Sequence, residues 1–199
     1  MDRVFSEISK ILTYGEPLPP QIVPFRMLCI AIVVSYFMIV MPMNSQLAAS
    51  TFLNPTVVVY AILILVIYLV SLRGIHLIKS AYILTLFFLS ICWLLKGGSK
   101  GSISYFYLST AGFSILLFRN TLRIVMFFLI LLNYAALIFI EWRFPSLTVP
   151  FLSANDQYLD LVTGFVINVL ITVPVIHLVV TSKKFRHKRN NVCQTFSIF

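Results

Sequence analysis

The groups able to do chemistry in this chain are few and unevenly spaced. Its six acids fall into two sets: Asp2, Glu7 and Glu16 near the start, then none until Glu141, Asp156 and Asp160. Two histidines, His76 and His177, stand beside or inside apolar runs, as do the amides Asn133 and Asn168. There is no nucleotide-binding loop, no His-Glu-x-x-His and no Cys-x-x-Cys, so the usual means of cradling phosphate, activating a zinc-bound water or exchanging disulfides are missing. Ser109 and Ser114 sit among Thr110, Ala111 and Gly112. A serine nucleophile would need an adjacent base, and no histidine here has a recognisable partner motif. Small residues at this density instead let membrane helices approach closely. His76 and His177 could together ligate haem or a metal. The simpler reading of each is a hydrogen-bonded side chain near the inner boundary. The expectation is a chain with no catalytic residues, no metal and no cofactor.

The elements that must position these groups are set by composition. The chain is 60% hydrophobic and 11% charged, with a mean hydropathy of +0.98, whereas soluble domains carry about 25% charged residues. A helix crossing the hydrocarbon core needs roughly 20 apolar residues. Six runs approach that: 27–43, 56–72, 77–95, 102–118, 124–140 and 159–182. The fourth is the weakest, being short and rich in Ser, Thr and Gly. The fold class expected is an all-α, polytopic membrane bundle of about six transmembrane helices. Before it, residues 2–13 place Val4, Phe5, Ile8, Ile11 and Leu12 at helical spacing, which predicts a short interfacial helix. The proline cluster in 15–20 predicts an extended linker. Three regions follow: an N-terminal segment 1–24, a six-helix domain 25–182 and a basic tail 183–199.

Charge orients the bundle. With both termini cytoplasmic, all of the 15 Lys and Arg residues except Lys96, Lys100 and Arg143 fall on the inner side, as the positive-inside rule requires. The net charge of +9 is thereby accounted for by topology, and nucleic-acid binding is not expected. Cys29, Cys92 and Cys193 form no disulfide framework, and no secretory signal pattern stands out.

On this topology the segment 141–158 is the longest outer loop. With Asp160 at its end it gathers Glu141, Trp142, Phe151 and Asp156, a candidate external sensing surface; equally, such a loop could merely join two helices. Asn133 and Asn168 are expected to tie the fifth and sixth spans together, since buried amides in lipid seek partners. Pro174 removes an N–H and should kink the last span, a candidate hinge close to His177.

Several of these features together resemble a known family. They are Lys96-Gly97-Gly98-Ser99-Lys100-Gly101 after the third span, Arg119 to Arg123 before the fifth, Glu141, Pro145, Pro150-Phe151-Leu152-Ser153, and Asp160 entering the last span. The pattern, over about residues 27–189, resembles the six-span N-terminal sensor region of sensor histidine kinases and related signalling proteins of Bacteroidetes-type bacteria. The resemblance implies a sensory module of the bacterial inner (cytoplasmic) membrane that signals through the sixth helix. It also implies an aromatic hydroxyl where Phe151 stands. The chain departs from the family after Arg189: no phosphoacceptor His motif and no ATP-binding glycine box follow. The chain itself is therefore expected not to be an enzyme. Its expected partners are the lipid bilayer and either a second copy of itself or a separate signalling protein. A small transporter and a structural membrane subunit are the rival readings.

Overall fold

The computed structural model describes residues 21–40, 50–75 and 77–196. The interfacial helix and proline linker expected within residues 1–20, and His76, lie outside the described residues. Six α-helices occur among the described residues: α1 (Ile22–Ser35), α2 (Ser50–Leu72), α3 (Ile78–Leu95), α4 (Ile103–Leu117), α5 (Asn120–Arg143) and α6 (Ala154–Phe196). A π-helical segment, Tyr36–Val40, extends α1, and short 3-10 turns at Gly98–Lys100 and Pro145–Leu147 link α3 to α4 and α5 to α6. Four stretches are long and apolar enough to cross a membrane: Asn54–Leu72, Ile78–Leu95, Asn120–Arg143 and Ala154–His177. Two shorter apolar helices, Ile22–Met38 and Ile103–Leu117, accompany them. The protein is an all-helical, multi-pass membrane protein.

Helix pairing gives the bundle its plan. α1 packs on α2, α2 on α3, α3 on α4, α4 on α6, and α6 back on α1. These five helices form a closed ring. α5 stands outside it, packed against α3 and α4. One stripe of α5 faces the ring: Met126, Ile130 and Leu137 are buried and Asn133 is half-buried. The remaining faces expose Phe128, Leu132 and Phe139. In water such a helix would be unstable; in hydrocarbon its apolar exterior has nothing to escape from, and its polar residue turns inward.

The helix ends differ from the sequence-based expectation in instructive ways. α6 begins at Ala154, well before residue 159, because the Ser153 hydroxyl accepts the Asp156 N–H at 3.1 Å as an N-cap, satisfying one of the donors a helix start leaves open. The expected outer loop is correspondingly shorter. At the other end α6 continues through Pro174 to Phe196, about 65 Å at 1.5 Å per residue. Where α1 begins, Arg26 is buried and its guanidinium donates to the Ser71 hydroxyl (3.2 Å) and carbonyl (2.5 Å) at the C-terminal end of α2. A cation there meets the negative end of the helix dipole and an orphan carbonyl.

Candidate functional site: two carboxylates around a glycine turn

Polar groups from four helices converge where the α3–α4 turn meets the α5–α6 connection. The turn begins as α3 closes with the Lys96 N–H on the Cys92 carbonyl, at 2.9 Å. Gly97 (φ 71°) and Gly98 (φ 61°) then take left-handed backbone conformations, which glycine adopts without steric cost. Gly101, by contrast, is extended.

Glu141 lies on the ring-facing stripe of α5, at helical spacing from Ile130, Asn133 and Leu137. Its Oε2 accepts the Trp93 indole N–H at 3.0 Å and the Ser99 backbone N–H at 2.8 Å, and its Oε1 accepts the Ser99 hydroxyl at 2.7 Å. The carboxylate therefore holds the tip of the turn to α5. It comes so close that a Cβ on Gly98 would overlap it, and a Cβ on Gly97 would overlap the Phe151 ring. Phe151 is thus a lid on the turn, with the Cδ2–Cε2–Cζ side of its ring nearest Gly97.

Asp160 occupies the equivalent place on α6, at the end of the buried stripe Gly164, Ile167, Asn168, Ile171 and Val175. Its Oδ1 pairs with Lys96 Nζ at 2.6 Å and its Oδ2 accepts the Ser102 backbone N–H at 2.8 Å. The latter is a donor that the start of α4 leaves without an intrahelical partner, and the helix dipole there also favours an anion. The Asp160 side chain is 2% exposed and that of Lys96 15%, so the pair is largely shielded. Gly164 brings α6 against Ser102 at a distance that no larger residue would permit. The α5–α6 connection adds a bond from Val149 N–H to the Leu94 carbonyl (2.8 Å), and the first turn of α6 adds one from Gln157 Nε2 to the Lys100 carbonyl (3.3 Å).

Of the five residues the sequence marked as a sensing surface, Glu141, Phe151 and Asp160 are brought together here. Trp142 is 76% exposed and packs against Phe139 (centroids 6.0 Å apart), pointing away from the turn. Asp156 lies in the first turn of α6 and is outside the cluster. Lys96, Trp93, Ser99 and Ser102 complete the site; Lys96 and Ser99 stood out in the sequence only as parts of the Lys96–Gly101 motif, and none of the four as a site residue. The signal for Lys96 was its place on the buried face of α3, seven residues from Leu89 and four from Cys92.

The two amides are held differently from the expectation that they link the fifth and sixth spans. Asn133 Oδ1 accepts the Tyr107 hydroxyl (2.6 Å) and the Ser90 hydroxyl (3.1 Å), beside a cluster in which Trp93, Tyr107 and Tyr134 meet edge-on or tilted. Asn168 Oδ1 accepts from Ser109 and, at 3.0 Å, from Thr172. Each amide is tied through α4, because α4 stands between α5 and α6. The serine-rich α4, weakest by hydropathy, is accordingly the hub of the polar network. Thr110, Ala111 and Ser114 are buried as close packing requires, but Gly112 faces open space. Pro174 and His177 lie on exposed faces of α6. Among the described residues no three His, Cys, Asp or Glu side chains are grouped to hold a metal.

The arrangement is a clamp. Glu141 accepts bonds from an indole and from the tip of the turn, and Asp160 accepts them from a cation and a helix start. Comparison with protein-family models, characterised proteins and solved structures returns no match.

Proposed function

We propose that this protein is a membrane-embedded sensory module, of the kind the six-span resemblance implies. It has six spans, lies in a bacterial inner membrane with both termini in the cytoplasm, and passes its output to a second copy or to a separate signalling protein. The observation that carries the reading is the position of Asp160. It lies near the head of a 43-residue helix, locked to the α3–α4 turn, and the same helix carries the basic residues from Lys183 on. A disturbance of the clamp is therefore delivered along one continuous element to that basic segment. The distribution of Lys and Arg supports the orientation.

The test is a spin-label distance. With Cys29 and Cys92 changed to Ala, labels are placed at native Cys193 and at Arg123→Cys on the α4–α5 side, and the full chain is held in nanodiscs. Asp160→Asn should shift or broaden the distance distribution relative to Asp160. An unchanged distribution would sink the relay. The cavity described below favours one rival, a small transporter, which predicts solute flux in proteoliposomes that Asn168→Leu abolishes.

A further inference from the structure

The five-helix ring surrounds a partly open cavity of about 180 Å³. All five ring helices contribute to its wall, and among the described residues α5 contributes none. The wall is mostly aliphatic and aromatic, with the Lys96–Asp160 pair and Ser102 reaching it from the clamp, and with Asn168, Ser109 and Thr172 forming a second polar patch. Asn168 lies two turns along α6 from Asp160, about 12 Å by helix rise.

One buried polar group in this wall is uncommitted. Tyr36 is 2% exposed, lines the cavity, and its hydroxyl has no hydrogen-bond partner among the described residues. Asn168, also in the wall, commits its Oδ1 to Ser109 and Thr172 and carries two amide N–H donors besides. Buried polar groups are nearly always satisfied, and a site of a few polar groups in an apolar wall is the usual form of a small-molecule pocket. Of the two charged groups present, each already faces its opposite, so an ionic ligand would have to break a shielded pair.

We infer that the ring binds a neutral, lipid-soluble molecule of about ten non-hydrogen atoms, carrying a carbonyl-type acceptor, with the Tyr36 hydroxyl and the Asn168 amide as its donors. The size follows from the volume, since an apolar cavity of about 150 Å³ accepts benzene. If the sensory reading holds, this is the chemical class of its stimulus. Binding itself is independent of that reading and is measured without any signalling output.

The test uses the full chain in detergent micelles with a 2-octanone analogue bearing an aliphatic diazirine. After irradiation, adducts should map to residues lining the cavity and not to the exposed face of α5, which serves as an internal control. Unlabelled 2-octanone should compete at least about five-fold better than octane at equal mole fraction in the micelle. Tyr36→Phe, which keeps the ring and so the packing, should remove most of that preference, and Asn168→Leu should do the same. Adducts spread evenly over α5 and the ring, or equal competition by octane, would overturn the inference and leave the cavity as space filled by lipid chains. Preference for 2-octanone that survives both substitutions would equally overturn the assigned donors.

Discussion

Asp160 accepts two bonds where its side chain is 2% exposed, from Lys96 Nζ at 2.6 Å and from the Ser102 N–H at 2.8 Å. Asp160→Ala would strand both donors. Removing one partner of a buried pair costs about 3–5 kcal/mol. Lys96 keeps 15% exposure and can turn its ammonium outward along its aliphatic stem, which places the expected loss at the lower end, about 3 kcal/mol. Lys96→Met leaves Asp160 with the Ser102 N–H and should cost about 2 kcal/mol, since a charge-assisted hydrogen bond survives. The double variant Lys96→Met, Asp160→Ala leaves only the Ser102 N–H unpaired, at about 1–3 kcal/mol. The coupling energy between the two positions should therefore be about 3 kcal/mol. It is measured by reversible unfolding of the full chain in mixed micelles, titrating the denaturing detergent fraction and following each single variant and the pair. Additivity to within about 0.5 kcal/mol, the value for independent sites, would refute the claim that this pair locks α6 to the turn.

Gly98→Ala should be markedly destabilising in the same assay: its φ of 61° alone costs an L-residue about 1–2 kcal/mol, before the overlap with Glu141. Gly112→Ala, where an added Cβ meets nothing within 4 Å, should be neutral or stabilising by up to about 1 kcal/mol; a comparable loss at both positions would contradict the turn geometry. In a Trp142→Phe background Trp93 is the sole tryptophan of the two, so Glu141→Leu should move the indole N–H Raman band toward its unbonded position, and a static band would disprove the Trp93–Glu141 bond. Asn133→Leu and Asn168→Leu should be additive within about 0.5 kcal/mol, because their amides have separate partners on α4; strong coupling would restore the direct α5–α6 link expected from sequence.

All six helices were legible as apolar runs, because helical secondary structure and hydropathy are the same signal in a membrane. The faces were harder. In a soluble bundle the inward face is the apolar one, and period 3.6 betrays it. Here lipid-facing Phe128 and Leu132 read like ring-facing Met126 and Ile130, so only polar residues mark the interior. Asn133 to Glu141 and Asp160 to Asn168, each eight residues apart, put both carboxylates on interior stripes, and that much could be read. Their partners could not: Glu141 reaches Ser99 and Trp93 across 42 and 48 positions, and Asp160 reaches Lys96 across 64. The start of α6 was readable from Ser153-Ala-Asn-Asp156, whose Ser-x-x-Asp spacing is a helix-start signature. The position of α5 outside the ring leaves no trace in the sequence, since its composition matches that of its neighbours.

The closure of the ring by α1 against α6 has a consequence for how the protein is made. A chain synthesised from its N-terminus releases α1 to α4 into the bilayer long before α6 arrives, so the nascent ring has an open seam. Lys96 waits without Asp160, and the Asn168 patch is absent, until that last helix leaves the insertion machinery. Sealing is then a late, single event that traps whatever hydrocarbon occupies the seam. A chaperone or quality-control protease that inspects the unfinished assembly would find its exposed polar face on α4, and the arrival of α6 would be what hides it.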